Sequence, residues 1–222
     1  MSQSASLAKA SLFEGTNAEE IDSMIGCLSM RKRTYSAGEH VLNMGDTTPY
    51  IGLVLSGRAQ IESVDAWGDT SVFRTCEPGD MFCEEYAAVP DEALTVDVVA
   101  LEKTEVMFLT ASKVLTTCPH ACPHHSRVSL NLTTMIARKN LALSRQIFHS
   151  APKSIRGKLL AYLSYEAKVA GSNEFDIAFN RQQLADYLGV DRSAMSNELS
   201  KMTREGIIET QRSHFVLKTD AR

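Results

Sequence analysis

QQLADYLGVDRSAMSNELSKM, residues 182–202, decides the reading of this chain. It holds two short apolar periodicities on either side of Gly189. Leu184, Ala185 and Leu188 recur at the spacing of one helix face, and Met195, Leu199 and Met202 at that of a second. Gly189 supplies a residue that takes φ > 0 without penalty where the first helix must stop. Asp191 can cap the helix that follows. Ala185 is small and sits four residues before the turn, so two helices can cross closely at a steep angle. That combination predicts a helix-turn-helix.

With its inner face assigned, the second helix turns Arg192, Ser193, Ser196, Asn197 and Ser200 outward. The major groove of duplex DNA admits one helix and is read by paired hydrogen bonds. Arginine suits guanine O6/N7, asparagine suits adenine N6/N7, and serine takes a base edge or a phosphate. Upstream, Asn180 and Gln183 stand three apart, a capping box that opens the first helix. Downstream, GIIETQRSHFVLK gives two short β-runs around the polar turn Gln211, Arg212, Ser213 and His214. This reads as a wing that brings Arg212 to the DNA backbone. A three-helix module used for protein contact would share the helices, but not the coincidence of cap, glycine, small residue and wing.

Further outward, IRGKLLAYLSYEAKVAG is an amphipathic segment ending at Gly171, and NEFDIAF reads as a short extended stretch. HSAPKS, with Pro152, marks a boundary before them. From about residue 126 to 149 there is neither Gly nor Pro. Leu132, Ile136, Leu143 and Ile147 fall on one narrow stripe, with Asn140 on it between the two apolar pairs. A narrow seam on a long helix predicts pairing with a second copy, the asparagine fixing register. The alternative is a helix packed on its own domain with Asn140 at the edge. Residues 34–109 are punctuated by Gly38, Gly45, Gly57, Gly68 and Gly79, between alternating or short apolar runs. That spacing predicts an antiparallel sandwich or barrel, preceded over 7–30 by one or two short helices. The expectation is therefore an α+β chain: an N-terminal antiparallel β-roll over 1–127, a dimerisation helix over 128–150, and a winged helix-turn-helix over 151–222.

With 222 residues, 44% of them hydrophobic, the chain can bury sizeable cores. Its net charge of −4 is unevenly spread. Residues 1–150 hold 12 Lys+Arg against 18 Asp+Glu, and 151–222 hold 11 against 9. No acidic residue lies between Glu105 and Glu166, a span with Arg138, Lys139, Arg145, Lys153, Arg156 and Lys158 among its basic residues. Such a span suits an anionic partner or simply a solvated helix face. The first residues lack the apolar run of a signal peptide, and no window reaches membrane-spanning length. Five cysteines read as reduced thiols in a cytoplasmic protein.

Taken together, AGE with MGD, YIGLVLSGRAQI, EPGDMFCEE, VVALEKTEVMFL and FNRQQLADYLGVDRSAMSNELSKMTREGII resemble the cAMP receptor protein / fumarate-nitrate regulator (CRP/FNR) family of bacterial transcription regulators, over essentially the whole chain. The resemblance implies a cyclic-nucleotide-binding-like jelly roll with an effector pocket, a signal passed to the DNA-binding domain, and no enzymatic activity. Partners expected are an inverted-repeat operator in double-stranded DNA, a second copy of the chain, a small-molecule effector of unknown identity, and RNA polymerase as a further candidate. The pocket would involve Cys83, Glu84, Glu85 and Thr95. Members that bind cyclic nucleotides carry a Gly-Glu pair followed by an Arg-Ser or Arg-Thr phosphate clamp. Here Cys83 stands at the glycine, and Ala93, Leu94 and Thr95 occupy the region of the arginine. Without a guanidinium the cyclic phosphate loses its bidentate partner and meets carboxylates instead, so cAMP is not expected to bind. On the recognition helix Ser193 and Asn197 stand where well-known relatives carry Glu and Arg, while Arg192 is retained. The operator sequence of those relatives does not transfer.

CPHACPHH places Cys118 and Cys122 four apart beside His120, His124 and His125. Sulfur and imidazole suit zinc, copper or iron, which makes Cys118, Cys122 and His124 candidate ligands for a metal- or haem-based regulator. Thiol-based redox sensing through Cys118/Cys122 or Cys76/Cys83 is a separate idea. The spacing matches no standard finger, and ordinary buried thiols are the simpler reading. A jelly-roll enzyme would need histidine ligands on its strands, yet only His40 falls in the roll, and no G-x-S-x-G, H-E-x-x-H or phosphate-loop motif occurs. A sensor acting only through protein partners is the remaining alternative.

Overall fold

The computed structural model describes residues 4, 7–89, 91–116 and 123–218. The chain divides into two compact units, Met1–Arg138 and Lys139–Arg222.

In the first unit, α1 (Ala18–Met24) is opened by a capping box in which Asn17 Oδ1 accepts from the Glu20 N–H and Glu20 returns the bond to Asn17, both at 2.9 Å. Eight strands follow: β1 (Arg31–Tyr35), β2 (His40–Leu42), β3 (Tyr50–Ser56), β4 (Ala59–Val64), β5 (Thr70–Cys76), β6 (Met81–Phe82), β7 (Asp97–Ala100) and β8 (Thr104–Thr110). They form two antiparallel sheets, ordered β1-β8-β3-β6 and β2-β7-β4-β5. The run TEVMFLT shows why the sequence is apolar without interruption there. Val106 and Phe108 belong to the cluster that also holds Val54, Phe82, Val98 and Ala100, while Met107 and Leu109 belong to another with Phe13, Ile21, Ile51 and Leu53. Both faces of β8 are buried, so alternation gives way to a continuous run. Between strands sit α2 (Glu84–Ala88) and, after β8, α3 (Ala111–Leu115).

The long helix, α4, runs Pro123–Ser150, five residues longer at its start than the sequence pattern predicts. Its first part does not belong to a free seam. Val128 and Leu132 are fully buried in the N-terminal core, with Met135 and Ile136 packed against it. Leu132, expected on the dimer seam, is thus buried within its own chain. The physical reason is the spacing itself: Val128, Leu132, Met135 and Ile136 make one helical face, and the apolar outer side of the first sheet covers it. Beyond Arg138 the picture reverses. Leu143 and Ile147 are 60% and 68% exposed, and Asn140 is exposed beside them.

In the second unit the end of α4 is followed by α5 (Ile155–Ala170), β9 (Glu174–Asp176), α6 (Arg181–Leu188), α7 (Arg192–Arg204), β10 (Ile208–Gln211) and β11 (His214–Leu217). The strands pair antiparallel in the order β10-β11-β9. Leu159, Leu163, Leu184, Leu188, Met195, Met202, Ile208 and Phe215 form its core. Among the described residues no helix is long and apolar enough to cross a membrane.

Candidate nucleic-acid interface

Three local devices build the pair α6–α7. Asn180 Oδ1 accepts from the Gln183 N–H at 3.0 Å and Gln183 answers at 2.9 Å, the capping box expected from sequence. Gly189 ends α6 at φ 60°, ψ 52°, a left-handed position that a side chain would strain. The carbonyls exposed by that ending are met from another helix, since Lys158 Nζ donates to Leu188 O at 2.9 Å. Asp191 then starts α7 by accepting the Ala194 N–H at 2.7 Å and the Ser193 hydroxyl at 2.5 Å. Those two bonds, the hydroxyl first, hold its carboxyl below the usual range, so it stays ionised at the positive end of the helix.

On α7, Met195, Leu199 and Met202 face the core, while Arg192, Ser193, Asn197 and Ser200 are exposed and Ser196 is half-buried. The outer side is not one continuous face. Arg192 lines a cleft of about 810 Å³ together with Arg212 and Ser213 of the wing and Asn180, Gln182 and Gln183 at the start of α6. Ser196 and Ser200 instead lie along a separate hollow with Arg181 and Arg204. The serine hydroxyls are already committed: Ser196 Oγ donates to Arg192 O and Ser200 Oγ to Ser196 O, each at 2.9 Å. What they retain toward a ligand is acceptor capacity. Arg212 occupies the wing turn at φ 55°.

Charge on the unit is sorted by ion pairs. Arg156 of α5 reaches Glu198 at 2.6 Å and grips Glu205 with both terminal nitrogens at 2.7 and 3.0 Å. Two of the acidic residues near α7 are thereby neutralised, whereas Arg192 and Arg212 carry no ion pair among the described residues. Arg181 is different: burial lowers its pKa, its Nη2 donates to Thr210 Oγ1 at 2.8 Å, and its guanidinium stacks 5.0 Å over Phe215. It braces the wing from beneath. Sequence reasoning passed over Gln182 and Arg204. A helical wheel marks Arg204, which stands four residues after Ser200; only the fold brings Gln182 beside Arg192.

In the first unit the four expected pocket residues do not share one environment. Cys83 and Glu84 are buried; Glu85 and Thr95 are at the surface. Thr95 Oγ1 lies 2.6 Å from the Tyr86 hydroxyl, which ties the segment after α2 back to that helix. Cys83 adopts φ 56°, ψ 22°, the left-handed backbone that glycine takes readily, so the residue keeps the conformation and adds a thiol. Burial first, then Glu85 and Glu84, push that thiol up to about 12. Cys118 and Cys122 lie outside the described residues. His124 meets Glu20 at 3.4 Å, and among the described residues no three His, Cys, Asp or Glu side chains cluster as a metal site would require.

The comparisons agree with this geometry. A model of the cyclic nucleotide-binding domain matches residues 32–119, and one of the Crp-like helix-turn-helix domain matches residues 157–221. The transcriptional activator protein FnrL of Cereibacter sphaeroides is 23% identical over 193 residues, 85% of this chain and 76% of that protein. The crystal structure of the Thermus thermophilus catabolite activator protein superposes with a TM-score of 0.53 at 23% identity, over 96% of this chain and 95% of that one. The N-terminal domain of a transcriptional regulator from Streptomyces coelicolor gives a TM-score of 0.51 at 16% identity, over 63% of this chain and 94% of that one. Both likenesses are to the fold. The chain belongs to the CRP/FNR family of bacterial transcription regulators, with a β-roll of cyclic-nucleotide-binding type and a DNA-binding helix-turn-helix.

Proposed function

We propose that the protein is a cytoplasmic homodimer that recognises an inverted-repeat operator with α7 and responds to an effector other than cAMP. The observation that carries this reading is the pairing of Arg192 and Arg212 on one open cleft, neither with a carboxylate partner among the described residues. The start of α6 lines the same cleft, and the free N–H groups of a helix N-terminus favour a phosphate there. Arg192 and Asn197, both exposed on α7, supply the side chains suited to base edges, with Ser193, Ser196 and Ser200 as acceptors and Arg212 on the backbone. Two copies joined through Leu143, Ile147 and Asn140, with Ile136 at the edge, would set half-sites about one helical turn, ~34 Å, apart.

The rejection of cAMP rests on Cys83, Glu84, Glu85 and Thr95. The glycine of a cyclic-nucleotide pocket is replaced by a buried thiol, and the clamp arginine is absent. Carboxylates alone would repel the phosphate.

Mobility shift on the protein's own upstream region tests the DNA reading. Arg192→Ala and Asn197→Ala are each expected to cost about 1–3 kcal/mol of specific binding while leaving binding to scrambled duplex nearly unchanged. An equal loss on both duplexes would remove these residues from base recognition.

A further inference from the structure

The sensor unit holds a cavity of about 220 Å³ that shares no residue with Cys83, Glu84, Glu85 or Thr95. Its walls come from β1, β2, the loop before β3, and β8. The sequence RKRTY builds one side. Alternation along β1 puts Arg31, Arg33 and Tyr35 on one face, and pairing of Arg31 with Phe108 and Arg33 with Val106 identifies that face. Val106, Phe108 and Tyr35 all belong to the core between the two sheets, so both arginine side chains leave the backbone on that side, while Arg31 and Arg33 themselves stay exposed at the cavity's open rim. Lys32, on the opposite face, is already matched by Glu105 at 3.2 Å.

Arg31 and Arg33 have no carboxylate partner among the described residues. The Arg33 guanidinium acts on the Tyr35 phenol, opposing the burial that raises its pKa. Glu39, the acidic residue acting on Tyr35, spends a carboxylate oxygen on the Ser36 N–H at 2.9 Å. Across the cavity Tyr50 meets Phe108 edge to face at 6.2 Å, forming an aromatic wall. Thr48 Oγ1 accepts the Tyr50 N–H at 3.2 Å and fixes the loop that carries it. Charges on an edge strand can serve merely to discourage sheet-to-sheet aggregation. That role needs no cavity and no aromatic wall beside the charges.

We propose that this cavity binds a small organic oxyanion, its phosphate or carboxylate between Arg31 and Arg33 and its planar apolar body against Tyr50 and Phe108. Two guanidiniums two residues apart repel each other, and an anion between them removes that cost while accepting paired hydrogen bonds. The volume is below the roughly 300–1,000 Å³ of drug-sized pockets, which limits the body to about one ring. The proposal goes beyond the DNA reading and stands independently of it, since every group it uses lies in the first unit.

Calorimetric titration of the full-length protein with phenyl phosphate, benzoate and inorganic phosphate tests it, the first two distinguishing the phosphate source from the carboxylate source. Saturable binding of phenyl phosphate or benzoate is expected. R31Q/R33Q should weaken it about tenfold or more, the worth of a charge-assisted hydrogen bond. Y50L should weaken the aromatic anion while leaving inorganic phosphate unchanged, and it stands independently should the double variant lose its fold. K32Q, which removes a charge from the opposite face of the same strand, should bind as the parent does, which separates the cavity from the overall charge of the strand. Undiminished binding by R31Q/R33Q, inorganic phosphate binding as tightly as the aromatic anions, or no saturable heat with either aromatic anion at millimolar concentration would each overturn the proposal.

Discussion

His149 Nδ1 lies 2.9 Å from the Tyr187 hydroxyl, joining the last turn of α4 to the first helix of the helix-turn-helix. Around that bond stand Tyr162 and Tyr165 of α5, with ring centroids 5.5 and 5.1 Å from the imidazole. Gln146 adds a second link by donating to Tyr187 O at 3.2 Å. The imidazole is 1% exposed, and its Nε2 finds no partner among the described residues. The end of α4 is thus keyed into the DNA-binding unit by a buried neutral histidine inside an aromatic box.

Acid should loosen that key. Burial, and secondarily the positive charge of Arg145, hold the His149 pKa below its ordinary 6.5. The unfolded chain therefore takes up the proton first as pH falls. Stability from this site is complete above the unfolded value near 6.5 and declines as pH drops through it toward the lower folded pKa. Thermal melts between pH 8 and pH 5 should show this acid limb, and His149→Phe should flatten it. Tyr187→Phe is expected to cost about 0.5–1.5 kcal/mol at pH 8 through loss of one hydrogen bond. A His149→Phe protein that retains the full acid limb would place the titration elsewhere.

The serines of α7 should prove far less important than Arg192. Their hydroxyl protons already go to backbone carbonyls one turn back. Ser196→Ala and Ser200→Ala take away only a neutral acceptor, so specific affinity should fall by about 0.5 kcal/mol, the low end for one neutral hydrogen bond. Quantitative binding to operator and scrambled duplex checks this. A loss comparable to that of Arg192→Ala would mean that the hydroxyls rotate to meet bases.

Cys83 should be inert. With its thiol pushed up to about 12, fewer than about one in ten thousand is ionised at pH 7.5, and only the thiolate reacts. Mass-resolved labelling of the folded protein should modify exposed Cys27 first and Cys83 only on unfolding. Rapid labelling of Cys83 would revive redox sensing through the roll.

The DNA-binding unit was legible because its signals are local. A capping box, a left-handed glycine and a period of 3.6 residues each fix one element within a few positions, and the exposure of Arg192, Ser193 and Asn197 follows from Met195, Leu199 and Met202 being inside. The burial of Leu132 was not legible. Its stripe continues smoothly through Leu143 and Ile147, and periodicity alone cannot tell a face covered by a distant sheet from one left open. The same limit hid the Arg31/Arg33 cavity, because the alternation in RKRTY gives two faces but only strand pairing with Phe108 says which one is inside.

What remains open on α4 carries the last prediction. Leu143 and Ile147 are four apart on one side of the helix, with Leu141 and Phe148 also more than half exposed nearby. Water contact at that density of apolar area is costly, and burying a large apolar side chain contributes about 1.5–3 kcal/mol. Two copies of each residue meeting across a two-fold axis would supply about 6 kcal/mol or more, so L143D/I147D should weaken self-association by at least about a thousandfold. Sedimentation equilibrium should find the parent as a dimer and the double variant as a monomer of 24.4 kDa. Val169→Asp, which charges an equally exposed apolar residue on α5, should leave the dimer intact and separates the seam from a general effect of surface charge. Paired half-sites require paired helices, so the double variant should also lose operator affinity while keeping the fold of each unit. A dimer that survives L143D/I147D would move the interface off this helix.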